Sequence, residues 1–256
     1  MKSLSFDKGL FRLGVVCIML ILVSASAQQI PPPHWGYSGH EGPNEWGKLD
    51  STYAACSSGK TQSPIDIRGA EKADLPVLKF KYNSVPLNLI DNGHTIQVNY
   101  PAGSTLTVGK KLYTLKQFHF HHPSEEHVNG HGYDMVVHLV HADAEGYLAV
   151  VAVFLKNGNA DPLIDLVWQN LPTAKEKAVD VSGVTLNAED LLPADHGYYT
   201  FSGSLTTPPC SEGVTWYVMK NPVALSEAQV AAFAKLYPRN ARPIQAANGR
   251  VILETQ

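Results

Sequence analysis

Histidine is used heavily in this chain, with eleven in 256 residues against three cysteines. Two of them lie in Gln117-Phe118-His119-Phe120-His121, a run of strand-forming composition. Side chains alternate along a strand, so His119 and His121 face one way and Phe118 and Phe120 the other. The turn signal Asn129-Gly130 brings the chain back, and Met135 to His141 reads as the next antiparallel strand, with His138 facing the first pair. Three neutral imidazoles converging from two neighbouring strands suit zinc. With no fourth protein ligand in view, one coordination position is left to water.

The remaining histidines read differently. His122 points away from His121, His127 and His131 flank a turn and read as exposed, and His40 and His196 lie in loop-like sequence. His141 reads as buried and hydrogen-bonded, and His34 as structural. His-Glu-x-x-His does not occur, and His122-Pro123-Ser124-Glu125-Glu126-His127 is one residue too long for the inverted motif, with proline where a helix is needed. The spacing argues against a zinc protease.

The elements that must position this trio are strands. Period-two segments run over 87–90, 95–100, 105–108, 117–122, 135–141, 148–155 and 214–219, separated by turn signals such as Asn92-Gly93, Ala102-Gly103, Glu145-Gly146 and Asn157-Gly158. Two helices are signalled. Asp161-Pro162 caps one over 163–170, and Ser226-Glu227-Ala228-Gln229 opens another towards Tyr237 as a capping box. The pattern predicts a single mainly-β (α+β) domain with an antiparallel sheet and peripheral helices.

Composition bounds the rest. The formal charge of -3, with 44% hydrophobic and 17% charged residues, describes a globular protein without a basic face for nucleic acid. Lys2, Lys8 and Arg12 precede an apolar run over 13–23 that ends in Ala25-Ser26-Ala27. The run is short of the ~20 residues that span a bilayer, so 1–27 reads as a cleavable signal peptide rather than an uncleaved anchor. That implies a periplasmic or secreted protein with no membrane span after cleavage and a mature domain over 28–256, starting with a proline-rich lead-in to Pro33. Only Cys56 and Cys210 then remain. An oxidising compartment favours one disulfide between them, with two buried thiols as the alternative.

Seven ordered motifs give the chain a specific resemblance. They are Gln62-Ser63-Pro64-Ile65-Asp66-Ile67, Asn92-Gly93-His94, the His119–His121 run, Pro123-Ser124-Glu125, His138-Leu139-Val140-His141 and Gly203-Ser204-Leu205-Thr206-Thr207-Pro208-Pro209, closed by Asn240-x-Arg242-Pro243. From His34-Trp35-Gly36-Tyr37 onward the chain resembles the α-class carbonic anhydrases. The resemblance implies a twisted, mostly antiparallel sheet of about ten strands, cis peptides at Ser63-Pro64 and Pro208-Pro209, and zinc-dependent reversible hydration of carbon dioxide to bicarbonate and a proton. The partners are then carbon dioxide, bicarbonate and water, and a homodimer is compatible with it. A metal-free binding module on the same fold is the competing expectation, opposed by the intact ligand trio.

Roles follow from the resemblance residue by residue. His119, His121 and His138 hold zinc. Thr206 accepts a hydrogen bond from the bound hydroxide and donates its own to Glu125, and Thr207 orients the substrate. Val140, Val150, Leu205, Val214 and Trp216 form an apolar wall for a nonpolar gas. His94 shuttles protons along a water chain ordered by Tyr37, Asn92 and Gln97. A relay is needed because an acid of pKa near 7 loses its proton to water at only on the order of 10³ s⁻¹, well below the family's turnover of about 10⁶ s⁻¹. Many members place a Glu two residues before the third ligand, on its outer N–H. Here that position is Val136, which predicts somewhat weaker zinc retention than in members that keep the Glu, with a backbone carbonyl or water as the alternative partner for that N–H.

Overall fold

Alternation in the sequence becomes alternation of burial. Val85–Asp91, Ile96–Asn99 and Thr105–Val108 each bury every second side chain, as strands with one face on a core do. Met135–Ala142 and Leu148–Asn157 are instead buried on both faces over most of their length, because they occupy the middle of the sheet. The computed structural model describes Met1 and residues 33–256. The expected signal peptide, Met1 apart, and the lead-in as far as Pro32 lie outside the described residues.

Ten strands follow one another across the main sheet, in the spatial order Val179–Leu186, Val85–Asp91, Ile96–Asn99, Lys111–His121, Met135–Ala142, Leu148–Asn157, Glu212–Met219, Tyr198–Ser204, Leu253–Glu254 and Glu71–Lys72. Leu78–Lys81, Thr105–Val108 and Val223–Leu225 attach to its side. The sheet is mostly antiparallel; Leu253–Glu254 pairs in parallel with Glu71–Lys72 and Val223–Leu225 with the end of Leu148–Asn157, and at its centre Leu148–Asn157 and Glu212–Met219 pair in parallel. The intervening chain carries a helix and two further strands, long enough for the crossover that parallel pairing requires. Val179–Leu186 had no sequence signal. Its side chains are mostly exposed and it pairs on one side only, through an irregular register between Asp180 and Thr185.

The two faces of the sheet do different work. Phe118 and Phe120 enter the larger apolar core with Leu87, Val98, Leu139 and Val151, while Val136, Val150, Phe154 and Trp216 belong to a second cluster. Behind the histidine strand, Phe120 packs edge-on against Trp168, and Trp168 stacks on Phe233. These two aromatics belong to the helices Pro162–Gln169 and Glu227–Leu236. Both helices start where the capping residues put them. The Asp161 carboxylate accepts from the Ile164 N–H at 2.9 Å, and Ser226 and Gln229 close the capping box. Cis peptides occur at Ser63-Pro64 and Pro208-Pro209, and also at His122-Pro123. Among the described residues no helix is long and apolar enough to cross a membrane.

Candidate metal centre

His119 and His138 are direct cross-strand partners. The ring centroids of His119 and His121, His121 and His138, and His119 and His138 lie 5.0, 4.7 and 5.4 Å apart. One nitrogen from each ring falls within 4.8 Å of those of the other two. His121 and His138 are buried, and His119 is partly open to a cleft.

The outer nitrogens fix which way each ring presents its lone pair. His119 Nδ1 meets Gln117 Oε1 at 2.8 Å, His121 Nδ1 meets the Asn240 carbonyl at 2.7 Å, and His138 Nε2 meets Glu126 Oε2 at 3.1 Å. A carbonyl oxygen only accepts, so Nδ1 of His119 and of His121 carries the proton; Glu126, whose pKa burial raises, accepts from His138 Nε2 in its ionised form, and each inner nitrogen then keeps its lone pair. His119 Nε2, His121 Nε2 and His138 Nδ1 are thus the donor atoms. His121 Nε2 is buried without any hydrogen-bond partner, an arrangement that costs about 1–3 kcal/mol unless something binds there. Burial lowers the pKa of all three, His121 to about 4, His138 to about 3 and His119 well below an ordinary imidazole. Three neutral, pre-aimed imidazoles fit zinc with one position open. Glu125, Glu126 and His138 also form a compact trio. Both carboxylates are fully buried and neither lines the cleft.

The cleft has two sides that share Gln117, His119 and Thr207. One is lined mostly by residues that carry polar groups, among them Tyr37, Asn92, His94 and Gln97, together with Trp35. The other is apolar, with Val140, Val150, Leu205 and Trp216 beside Thr206 and His138. Val214, expected in that wall, is packed in the same buried cluster as Val150 and Trp216 and is not among the residues that line this side.

Glu125 is buried, and its Oε1 accepts from the Arg242 backbone N–H at 2.8 Å. Its Oε2 lies 3.5 Å from His121 Nε2 and has no hydrogen-bond partner. Burial raises the Glu125 pKa, opposed by His121 and, more weakly, by the Arg242 N–H and the Thr206 hydroxyl. Thr206 sits on a tightly fastened turn. Ser63 and Ser204 exchange hydrogen bonds between hydroxyls and backbone N–H groups, at 2.9 and 3.2 Å. Gly203 allows that approach, since a Cβ there would lie 2.2 Å from Ser63 Oγ. Beyond the turn a disulfide joins Cys210 to Cys56. The buried Arg242 guanidinium donates to Gln62 Oε1 and to the Ser63 and Cys56 carbonyls.

On the polar side, Asn92 Oδ1 accepts from the backbone N–H groups of His94 and Thr95, at 3.0 and 2.9 Å. The Asn92 amide donates to Gln97 Oε1 at 3.4 Å, and Gln97 donates to Asn99 at 2.7 Å. His94 is half-buried on Trp35, and its pKa is lowered, mainly by burial and then by nearby His34. Tyr37 is held as the neutral phenol, because burial and then the Glu125 charge push its pKa up. His141 is buried as expected, between the Tyr82 hydroxyl and the Ala149 carbonyl.

Several site residues escaped the sequence reading. Gln117 stands two residues before His119, hence on the same strand face, and that spacing could have found it. Asn240 and Arg242 belong to the closing motif but had no role. Asn240 turns out to be a staple, its amide donating to the His94 and Phe120 carbonyls at 3.0 Å each and its Oδ1 accepting from the His122 N–H at 2.8 Å. Glu126 was not singled out either. Val136 stands two residues before His138, where no carboxylate is present, yet the Glu126 carboxylate reaches that ring from the loop after His121. No pattern local to Met135–His141 could reveal it.

The fold and the three imidazoles together define the class as α-type carbonic anhydrase, and whole-chain comparison agrees. The chain belongs to the eukaryotic-type carbonic anhydrase family, whose sequence model matches residues 41–256, and it is an enzyme of that family. It is 44% identical to a carbonic anhydrase of Klebsiella pneumoniae over 239 residues, covering 92% of this chain and 96% of the relative. It is 43% identical to one from a Nostoc species over 226 residues, covering 86% of each. Among solved structures, the α-carbonic anhydrase of Thermovibrio ammonificans in complex with sulfanilamide matches with a TM-score of 0.83 at 43% identity, covering 86% of this chain and 98% of that one. A hyperthermostable carbonic anhydrase from a hydrothermal vent chimney matches with a TM-score of 0.85 at 46% identity, covering 87% and 100%.

Proposed function

We propose that this chain is an exported zinc enzyme for the reversible hydration of carbon dioxide to bicarbonate and a proton, acting in a periplasm or outside the cell. His119, His121 and His138 hold the metal. When bound, zinc supplies a Lewis acid that lowers the pKa of its water to about 7, an effect for which carbonic anhydrase is itself the standard example. The observation that carries this reading is the set of three outer-nitrogen partners, Gln117, Asn240 and Glu126, which aim three neutral lone pairs at one point.

The chain's own residues then divide the work. Val140, Val150, Leu205 and Trp216 give carbon dioxide an apolar place to wait beside the nucleophile, and a nonpolar gas needs little more. Glu125 accepts from the Thr206 hydroxyl and so forces Thr206 to present its lone pair to the attacking group, which orients the attack. Thr207, shared by both sides of the cleft, positions the product. The proton leaves along a water chain ordered by Tyr37, Asn92 and Gln97 to His94, whose lowered pKa keeps the ring neutral and ready to accept at pH 7. A disulfide between Cys56 and Cys210 suits the oxidising compartment that export implies.

Stopped-flow hydration of carbon dioxide by the mature protein, with zinc counted per chain and a chelator-treated control, tests the proposal. One zinc per chain and activity lost on chelation and regained with zinc are expected. Full activity in protein holding no zinc rejects it. N-terminal sequencing of exported material should begin at Gln28, and a retained Met1 rejects cleavage.

A further inference from the structure

We infer that Glu126 is the positioning residue for the metal ligand His138, taking over from a different part of the chain the duty that Val136 cannot perform. This rests on the zinc reading above.

Three observations point to it. Glu126 is wholly buried, and its Oε2 lies 3.1 Å from His138 Nε2, the ring nitrogen turned away from the metal side. Its other oxygen, Oε1, has no hydrogen-bond partner. A buried carboxylate is costly and is retained only where it holds a partner, and the partner here is a ligand ring. Val136 is itself fully buried in the apolar cluster with Ile65, Ile67 and Phe154. Val136 and His138 share one strand face, so a carboxylate at 136 would approach the ring from its own strand. Glu126 instead approaches from the segment between His121 and the short strand His127–Val128. That segment is fastened: the Ser124 N–H donates to the Tyr133 carbonyl at 3.1 Å, the Ser124 hydroxyl donates to the Glu126 carbonyl at 3.1 Å, and the His127 N–H donates to the Ile65 carbonyl at 3.2 Å. The carboxylate is therefore held by backbone on both sides, and its position owes nothing to the strand that carries His138.

Moving the carboxylate between positions has a consequence that a merely structural Glu126 lacks. Positions 126 and 136 become interchangeable suppliers of one hydrogen bond, so their substitutions must be non-additive. A carboxylate at 136 adds nothing while Glu126 is present and restores the site when Glu126 is gone.

Zinc loss to a chelator is followed in the wild type, Glu126→Gln, Val136→Glu and the double variant Glu126→Gln/Val136→Glu, beside thermal melting of each metal-free protein. Glu126→Gln is expected to lose zinc 10–100-fold faster, while its metal-free form melts no lower than the wild type, because a buried carboxylate has become a neutral isostere. Val136→Glu alone should not slow zinc loss, and the double variant should return towards the wild-type rate. Wild-type zinc loss from Glu126→Gln overturns the inference, as does equal acceleration in the single and double variants with a lowered metal-free melting point, the mark of a packing role. If the double variant does not fold, as circular dichroism reports, Glu126→Gln alone decides. A wild-type protein that binds no zinc overturns the metal reading itself, a separate outcome.

Discussion

His94 lies flat on Trp35, with ring centroids 3.6 Å apart and 8° between the planes. The indole limits the orientations open to the imidazole and shields one of its faces, and burial accordingly leads the causes that lower its pKa. His34, read from sequence as structural, is exposed and lies 5.9 Å from the His94 ring.

His94→Ala should cut turnover by a factor of about 10 or more in weak buffer, and added imidazole should restore it, since proton release to water alone is limited to on the order of 10³ s⁻¹. Unchanged turnover in dilute buffer removes His94 from the relay. Trp35→Ala should raise the His94 pKa towards the ordinary imidazole value by opening the ring to water, which a nuclear magnetic resonance titration of the ring protons reads directly.

Glu125→Gln and Thr206→Ala should each lower kcat/KM by about 10²–10³-fold, the usual loss when one pre-aimed polar group is removed. The double variant should be no worse than either single one, because the two groups act as a unit. Zinc content measured alongside separates this from metal loss, and additive losses would show that the two act independently.

Metal-free protein should lose stability on acidification through His141. Its folded pKa is lowered by burial to about 4, against about 6.5 in an unfolded chain. The folded state therefore binds the proton less readily. The stability is fully present above about pH 6.5, falls as pH drops below that, and is gone once pH passes through the folded value, a change of about 3 kcal/mol. His141→Gln lacks this titration and should lessen the fall in melting temperature between pH 6.5 and 4, leaving the part that belongs to His119, His121 and His138, whose pKa values burial also lowers. An unaltered profile would place the acid sensitivity elsewhere.

Reduction of the Cys56–Cys210 bond, or Cys56→Ser with Cys210→Ser, should lower stability by about 2–5 kcal/mol. The bond closes a separation of 154 residues and fastens the chain just beyond Thr206 and Thr207, so substrate handling should suffer with the fold. Melting with and without reductant measures the first effect and KM the second. Identical melting curves would contradict it.

Much of this molecule was legible in its residues. Alternation fixed the facing of His119 and His121 against Phe118 and Phe120, and capping residues placed both longer helices, because these features obey rules of period and local hydrogen bonding that act within a few residues. Tertiary structure alone decided what such rules cannot reach: the parallel pairing at the centre of the sheet, the edge strand Val179–Leu186 held by its backbone, the withdrawal of Val214 behind the cavity wall, and the partners of the three outer imidazole nitrogens. Asn240 reaches His121 across 119 residues, and Glu126 reaches His138 from a separate loop. Contacts of that kind depend on where the whole chain has folded, and a residue's neighbours in sequence carry no record of them.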